Sequence, residues 1–216
     1  MGNIFYSLLS CEKYKLTRQR ILRETWLSKV PPSDYVFLSD EHSDDSVKMS
    51  DKKDYSSCEE KQLNSLNYLL KNKLNYEWYF FGDDDTYVNP FNLTDFLSSF
   101  TEESVGSSLN KLSDPRNGAF DIFNINAYYS GGAGFVFSKK TLNSVDGKLF
   151  PPSIFYADIS MGRLLLNCGG KITDCNRFFA TNFSELKHSE ETIKRAITYH
   201  YMNESQMKKA YELSFK

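Results

Sequence analysis

A chain of 216 residues with 26 Lys and Arg against 28 Asp and Glu carries a formal charge of −2. That balance excludes the basic face on which sequence-independent nucleic-acid binding depends, and no apolar run approaches the ~20 residues that span a bilayer. Hydrophobic residues at 40% exclude wholesale disorder, so residues 1–216 read as one soluble domain around one core.

In chain order, the apolar run Ile4 to Leu9 reads as a strand, and Ile21, Leu22, Thr25 and Trp26 follow at helical spacing. Pro31-Pro32 closes that helix, and Tyr35-Val36-Phe37-Leu38 is a second β-prone run ending at Ser39-Asp40. The acidic, Ser-rich stretch from Asp40 to Ser56 reads as a solvated loop. Ser57 and Glu60 have the spacing of a capping box, which opens a helix carrying Leu63, Leu66 and Leu70 and ending near Lys73. Trp78-Tyr79-Phe80-Phe81 is the continuous apolar run of a parallel strand buried on both faces. Asn89-Pro90 then supplies the cap and first-turn proline of a helix through Phe96 and Leu97. Strands and helices alternating in this way predict an α/β fold, an open and mostly parallel sheet flanked by helices. Its ligand crevice lies beyond the carboxyl ends of the strands.

Asp83-Asp84-Asp85 falls at that edge. Three adjacent carboxylates repel one another unless water or a cation relieves them. An exposed acidic turn is the plain alternative, but the position after a buried strand favours a hard divalent cation, Mg²⁺ or Mn²⁺. The second constellation is Gly131-Gly132-Ala133-Gly134 before the β-prone Phe135-Val136-Phe137. It is either a structural turn or a place where backbone approaches a ligand closely; it does not match the dinucleotide fingerprint. Asp158 opens a helical stretch with Met161, Leu164 and Leu165, where the plain reading is an N-cap.

Four cysteines lack the paired spacing of a zinc site and permit two disulfides. Cys168 and Cys175 flank Gly169-Gly170 and are the pair expected to join, with two reduced buried thiols as the alternative. Sequons at Asn92, Asn182 and Asn203 permit a secretory compartment.

Trp78 through Val88 and Tyr129 through Lys139 together resemble the acidic-triplet and glycine-loop segments of the core 1 β1,3-galactosyltransferases and the Fringe glucosaminyltransferases. Arg20 to Trp26, Ala157 to Arg163 and Ala196 to Met202 resemble further segments of that group, so most of the chain is covered. The resemblance implies a single GT-A glycosyltransferase domain that uses a UDP-sugar and Mn²⁺. It implies Asp85 as metal ligand, Asp83 at the metal or nucleotide, Asp84 at either metal-bound water or the donor sugar, and Gly131, Gly132 and Gly134 at the donor. Asp158 is implied as the base that deprotonates the acceptor hydroxyl, although Ala157 replaces the acidic neighbour usual in the family. The family's metal-binding histidine is matched to His188 in Lys187-His188-Ser189, an alternative register placing Phe179 there. His200 reads as a buried structural imidazole, and His42 has no role.

The activity implied is inverting β1,3 transfer, in first place of galactose onto O-linked GalNAc of a glycoprotein or glycopeptide. A Fringe-like transfer of GlcNAc onto O-linked fucose is the alternative, and a catalytically silent glycan-binding or chaperone member is the non-enzymatic one. The family resides in the Golgi lumen behind an N-terminal anchor, which implies the secretory pathway if the native protein carries one.

Overall fold

The computed structural model of the protein describes residues 3–53, 55–72, 76–110, 125–149 and 156–215. Its centre is a six-stranded sheet. In chain order the strands are β1 (Ile4–Leu9), β2 (Tyr35–Ser39), β3 (Ser46–Lys48), β4 (Trp78–Asp83), β6 (Ser104–Gly106) and β9 (Phe135–Ser138). Across the sheet they run β3-β2-β1-β4-β9-β6. The first four are parallel, and β9 runs antiparallel to both β4 and β6. Sequence and packing agree on why these runs are strands: alternate side chains feed two cores. Ile4, Tyr6, Leu8, Phe37, Phe80 and Val136 point to one face, and Phe5, Val36, Leu38, Tyr79, Phe81 and Phe137 to the other.

Helices cover both faces. On the first lie α1 (Arg18–Glu24), α3 (Pro90–Ser98), α6 (Glu190–Arg195) and α7 (Glu204–Phe215), through residues such as Leu22, Leu93, Ile193 and Met207. On the second lie α2 (Cys58–Asn72), α4 (Lys139–Ser144) and α5 (Ala157–Asn167), through Leu66, Leu142 and Leu165. Asn89 caps α3 as its sequence predicts: its side chain accepts from the Asn92 amide at 3.1 Å, with Pro90 in the first turn. α2 starts where Ser57 and Glu60 predict, with the Glu60 carboxylate accepting from Ser50 Oγ at 2.8 Å; Lys73 lies outside the described residues.

Two small sheets finish the fold. β7 (Ser108–Asn110) pairs with β8 (Ala127–Tyr129), and β5 (Tyr87–Val88) joins β10 (Phe178–Phe179) and β11 (Thr198–Tyr199) in the order β10-β11-β5.

Two expectations are corrected. The Asp40–Ser56 stretch is not all solvated loop, because it contains β3 and buries Asp40, Ser46, Met49 and Ser50. Asp40 can be buried because Lys61 lies 3.4 Å away and the Glu12 amide donates to it at 3.0 Å. All four cysteines are free, including Cys168 and Cys175. The segment between them runs along the sheet edge at β6, where Gly106 donates to the Thr173 carbonyl and Cys175 to the Gly106 carbonyl. Cys168 therefore packs on one core and Cys175 on the other.

Of the sequon asparagines, Asn92 spends its amide on the Lys194 and Ala196 carbonyls and Asn182 is buried, while Asn203 is exposed.

The buried Trp26 indole donates to the Thr86 carbonyl at 3.1 Å, tying α1's end to the turn after β4. Trp26→Phe leaves that carbonyl without its donor and is expected to destabilise the fold by about 1–3 kcal/mol; urea unfolding measures it, and an unchanged midpoint would show the bond contributes nothing.

Candidate active site

β4 ends at Asp83, and Asp83-Asp84-Asp85 turns the chain at the carboxyl edge of the sheet before β5 begins. The three carboxylates point to different partners. Asp84, 3% exposed, accepts from Ser10 Oγ at 2.6 Å and from Arg18 Nη1 at 2.9 Å. Arg18 Nη1 also reaches Asp85 Oδ2 at 3.2 Å, while its guanidinium lies over the Tyr14 ring at 4.5 Å. Asp83 and Asp85 instead face His200, whose Nε2 lies 3.8 Å from Asp83 Oδ2 and 3.3 Å from Asp85 Oδ1.

The imidazole arrives there through pairing: β11 lies antiparallel to β5 with Tyr199 opposite Tyr87, and Met202 N donates to the Asp85 carbonyl at 3.0 Å. Ligand atoms of Asp83, Asp85 and His200 all lie within 4.8 Å of one another. Asp85 Oδ1 is buried without a partner of hydrogen-bond geometry, although it faces His200. An orphaned carboxylate oxygen beside a second carboxylate and an imidazole is a donor set that fits Mn²⁺ or Mg²⁺.

His188 is elsewhere. Its Nδ1 lies 2.8 Å from the Tyr199 hydroxyl and its ring packs edge-on against Phe179 at 4.8 Å. His200, read from sequence as a structural imidazole, is the histidine that stands with the carboxylates. Its signal was the short β-prone run Thr198-Tyr199 immediately before it, able to pair with Tyr87-Val88. Arg18 and Lys61 carried no such signal, because a cation on an amphipathic helix looks like any solvated one.

The glycine loop is shaped by these neighbours. A Cβ on Gly132 would sit 1.9–2.4 Å from the His200 ring, and one on Gly131 would sit 3.2 Å from Asp158 Cβ. Gly134 has φ +79°, with Phe80 and the Phe81 carbonyl against it. Thr86 Oγ1 donates to the Gly132 carbonyl at 2.7 Å while accepting from the Asp83 amide at 3.1 Å, joining loop and acidic turn.

Asp158 is the second residue of α5, whose N-cap is Tyr156, so the cap position lies two residues before Asp158, which sits in the first turn instead. Its Oδ1 accepts from the Ile159 amide at 2.9 Å. The next residue but one, Ser160, donates to the buried Glu59 carboxylate and so fixes α5 against α2.

Two clefts meet at the triplet. One, of about 340 Å³, is lined by Ser10, Lys13, Arg18 and Lys61 with all three aspartates. The other, of about 330 Å³, joins Asp83 and His200 to Gly131, Gly132 and Asp158. Cys58 lines both, but burial, aided by the Asp83 charge, pushes its thiol up to about 12, away from the thiolate form at neutral pH.

Burial pushes the Asp83 carboxyl up to about 7, opposed by His200 and reinforced by Asp85, Asp84 and Asp158. Burial also raises Asp84 against its Ser10 and Arg18 bonds. Asp85 ends below the ordinary carboxylate range, because His200 and Arg18 more than offset its burial. His200 ends above the ordinary imidazole value: burial opposes that shift, and Asp85 and Asp83 outweigh it.

The fold and the carboxylate–imidazole group at its carboxyl edge together fit the architecture of GT-A glycosyltransferases. Among solved structures, a glycosyltransferase involved in glycosylation of the major capsid of PBCV-1 matches with a TM-score of 0.56 at 14% identity, covering 96% of this chain and 99% of that one. The WbbM bifunctional glycosyltransferase matches at 0.61 and 11% identity, covering 97% of this chain and 50% of that one. A curated relative, the β-1,3-N-acetylglucosaminyltransferase radical fringe of Gallus gallus, is 26% identical over 154 residues, 64% of this chain and 41% of its own length. The Fringe-like family model matches residues 1–214, and the chain belongs to that family.

Two outcomes follow from the site. A folded carboxyl titrating near 7 holds a proton that the unfolded chain has already released above about pH 4, so Asp83's proton stabilises the fold less and less as pH rises through 7. His200's contribution, complete below its ordinary value, fades as pH climbs through its raised one. The metal-free protein is therefore expected to lose melting temperature from about pH 4, through Asp83, up to about pH 8, where His200 completes the loss. Mn²⁺, which needs deprotonated carboxylates and neutral imidazole, should restore it increasingly over that interval. Thermal-shift series in Mn²⁺ and in EDTA check this, and a Mn²⁺ effect that does not grow with pH contradicts it. Gly132→Ala should drive His200 off its position and lower Mn²⁺ affinity about 10- to 100-fold with the fold retained, as read by calorimetry and circular dichroism.

Proposed function

We propose that this chain transfers a sugar from a UDP donor to a sugar hydroxyl with inversion, in β1,3 linkage, using Mn²⁺ or Mg²⁺ held by Asp83, Asp85 and His200. The observation that carries the reading is the orphaned Asp85 Oδ1 set between a second carboxylate and an imidazole at the sheet's carboxyl edge. When bound, the ion supplies electrostatic stabilisation of the charge that builds on departing UDP.

The protein's own residues have separable tasks. The cleft with Lys13, Arg18 and Lys61 suits the nucleotide diphosphate. Asp84 is turned inward and holds Arg18 at that cleft instead of meeting the sugar directly. Gly131 and Gly132 let backbone run between His200 and Asp158, keeping the metal ligand and the base a short reach apart. Asp158, across the second cleft from Asp83, takes the proton of the attacking hydroxyl on the side away from the leaving group.

GlcNAc is the donor sugar we favour, because the curated relative is named for it, and a fucose-bearing glycopeptide is the corresponding acceptor. Galactose transfer onto O-linked GalNAc, expected first from the sequence, is the competing arm of the same donor screen. The chain spans about two fifths of that relative's length, so the whole protein's acceptor and its residence in the secretory pathway belong to this proposal. No helix among the described residues is long and apolar enough to cross a membrane.

Asp158→Asn is expected to lower kcat by about 10²- to 10⁴-fold while UDP affinity in Mn²⁺ stays within about twofold. Rates with UDP-GlcNAc and UDP-galactose, set beside calorimetric titration of UDP, give both numbers. Activity near that of the unaltered chain removes Asp158 from the mechanism, and equal UDP affinity in Mn²⁺ and in EDTA removes the metal.

A further inference from the structure

Tyr201 has a backbone that bulky residues avoid. Its φ is +53°, in the left-handed region, where a side chain with a Cβ costs of the order of 1–3 kcal/mol and persists only when its surroundings hold it. They do: His200 N donates to the Phe179 carbonyl and Met202 N to the Asp85 carbonyl, both at 3.0 Å, so the residues on either side are pinned. The effect is to lift the phenol ring out of the core. Tyr201 is 61% exposed, the largest exposure of any aromatic named in the site. One face of the ring stacks on His200, with centroids 3.6 Å apart and planes at 22°.

The ring stands where two reactants must meet. Leu9, Cys58, Asp83, His200 and Tyr201 line both the diphosphate cleft and the Asp158 cleft. The first four are buried or half-buried, and Tyr201 alone of them is exposed. It also borders a third cleft of about 410 Å³ formed with Arg18, Met202 and Asn203, open beyond the donor side of the triplet. An acceptor sugar has to bring one hydroxyl between Asp158 and the donor sugar, with the remainder of its ring lying over whatever wall the two clefts share. A pyranose presents a face of C–H bonds, apolar and slightly positive. The outer face of an aromatic ring is apolar and carries the negative lobe of its quadrupole. Strain, exposure and position are all accounted for by a ring kept ready for such a face.

We propose that Tyr201 is the platform on which the acceptor sugar stacks, and so a residue that sets acceptor preference. This rests on the transfer reading above. Tyr201→Gly tests it best, because glycine accepts the positive φ and removes the ring without adding strain; Tyr201→Phe keeps the ring and loses the hydroxyl. Each is assayed with UDP-GlcNAc and p-nitrophenyl α-L-fucoside, in parallel with transfer to water, and UDP affinity in Mn²⁺ is measured by calorimetry.

The expected result for Tyr201→Gly is a rise of about tenfold or more in acceptor KM. Donor hydrolysis and UDP affinity stay within about twofold, and Tyr201→Phe lies closer to the unaltered chain than to Tyr201→Gly. An unchanged acceptor KM overturns the platform. So does UDP affinity falling in step with acceptor KM, which would make Tyr201 a prop for His200, and so does a rise confined to donor KM, which would place the donor sugar there. If the unaltered chain neither binds UDP with Mn²⁺ nor turns over the donor, the transfer reading fails and this inference fails with it.

Discussion

Three consecutive carboxylates at the end of a buried strand are a like-charge constraint, and the architecture around the site is what that constraint demands. Burying a charge is costly unless it is paired and hydrogen-bonded. The chain meets this by sending the three groups in different directions. Asp84 turns toward α1 and the end of β1, where Arg18 and Ser10 hold it. Asp83 and Asp85 turn toward His200, where the compensation within the protein is incomplete: Arg18 reaches only Asp85 Oδ2, one imidazole faces both carboxylates, and Asp85 Oδ1 is left without a donor of hydrogen-bond geometry. The result is a site divided between a neutralised half and a half short of positive charge. A divalent ion supplies charge of the right size to the second half, whereas the first half needs nothing further.

Delivering the imidazole required long-range structure. His200 is 115 to 117 residues beyond the acidic triplet, and it is brought back by a pair of two-residue strands, β5 and β11, whose antiparallel register is short but sits on a buried base of Tyr87, Val88, Thr198 and Tyr199. The glycine loop occupies the remaining side. Gly132 is glycine because an imidazole fills the space of a side chain, and Gly134 because the turn into β9 needs positive φ against Phe80. Thr86 then stitches loop to triplet through a single hydroxyl used as both donor and acceptor. His188, although outside the carboxylate–imidazole group, bonds the Tyr199 hydroxyl and so braces the strand that leads into His200.

What could be read from the sequence was local. The runs Ile4 to Leu9, Tyr35 to Leu38 and Trp78 to Phe81 announce strands because their apolar residues alternate onto two cores, and Asn89-Pro90 announces a helix start because cap chemistry acts within one turn. The acidic triplet could be placed at the crevice because a strand's end is a property of sequence. The histidine could not be chosen, since its proximity depends on the β5–β11 pairing and no single-residue property separates His200 from His188. Burial of Asp40 was hidden for the same reason: an aspartate in a Ser-rich acidic stretch looks solvated until Lys61, 21 residues later, is known to fold over it. The disulfide expectation failed on a topological fact, that a seven-residue separation can cross a sheet edge and leave two thiols on opposite faces.

On the proposed reading, the same geometry lets donor and acceptor chemistry coexist where the two clefts meet. A base near the metal ligands would be drawn into the ion's coordination if its backbone allowed it. Asp158 is instead anchored on α5, with Ile159 N bonded to its Oδ1 and Ser160 tied to the buried Glu59, and the side-chain-free backbone of Gly131 lies against it. Held from its own helix, it can face the second cleft without joining the carboxylates of the first. In the proposed transfer, the charge that a departing diphosphate develops and the proton that an attacking hydroxyl releases would be handled by groups on different elements, β4 with β11 for the one and α5 for the other. In-line displacement puts the two events on opposite sides of the reacting carbon, and acid–base and charge-stabilising groups held on separate elements are what the proposed inverting transfer requires.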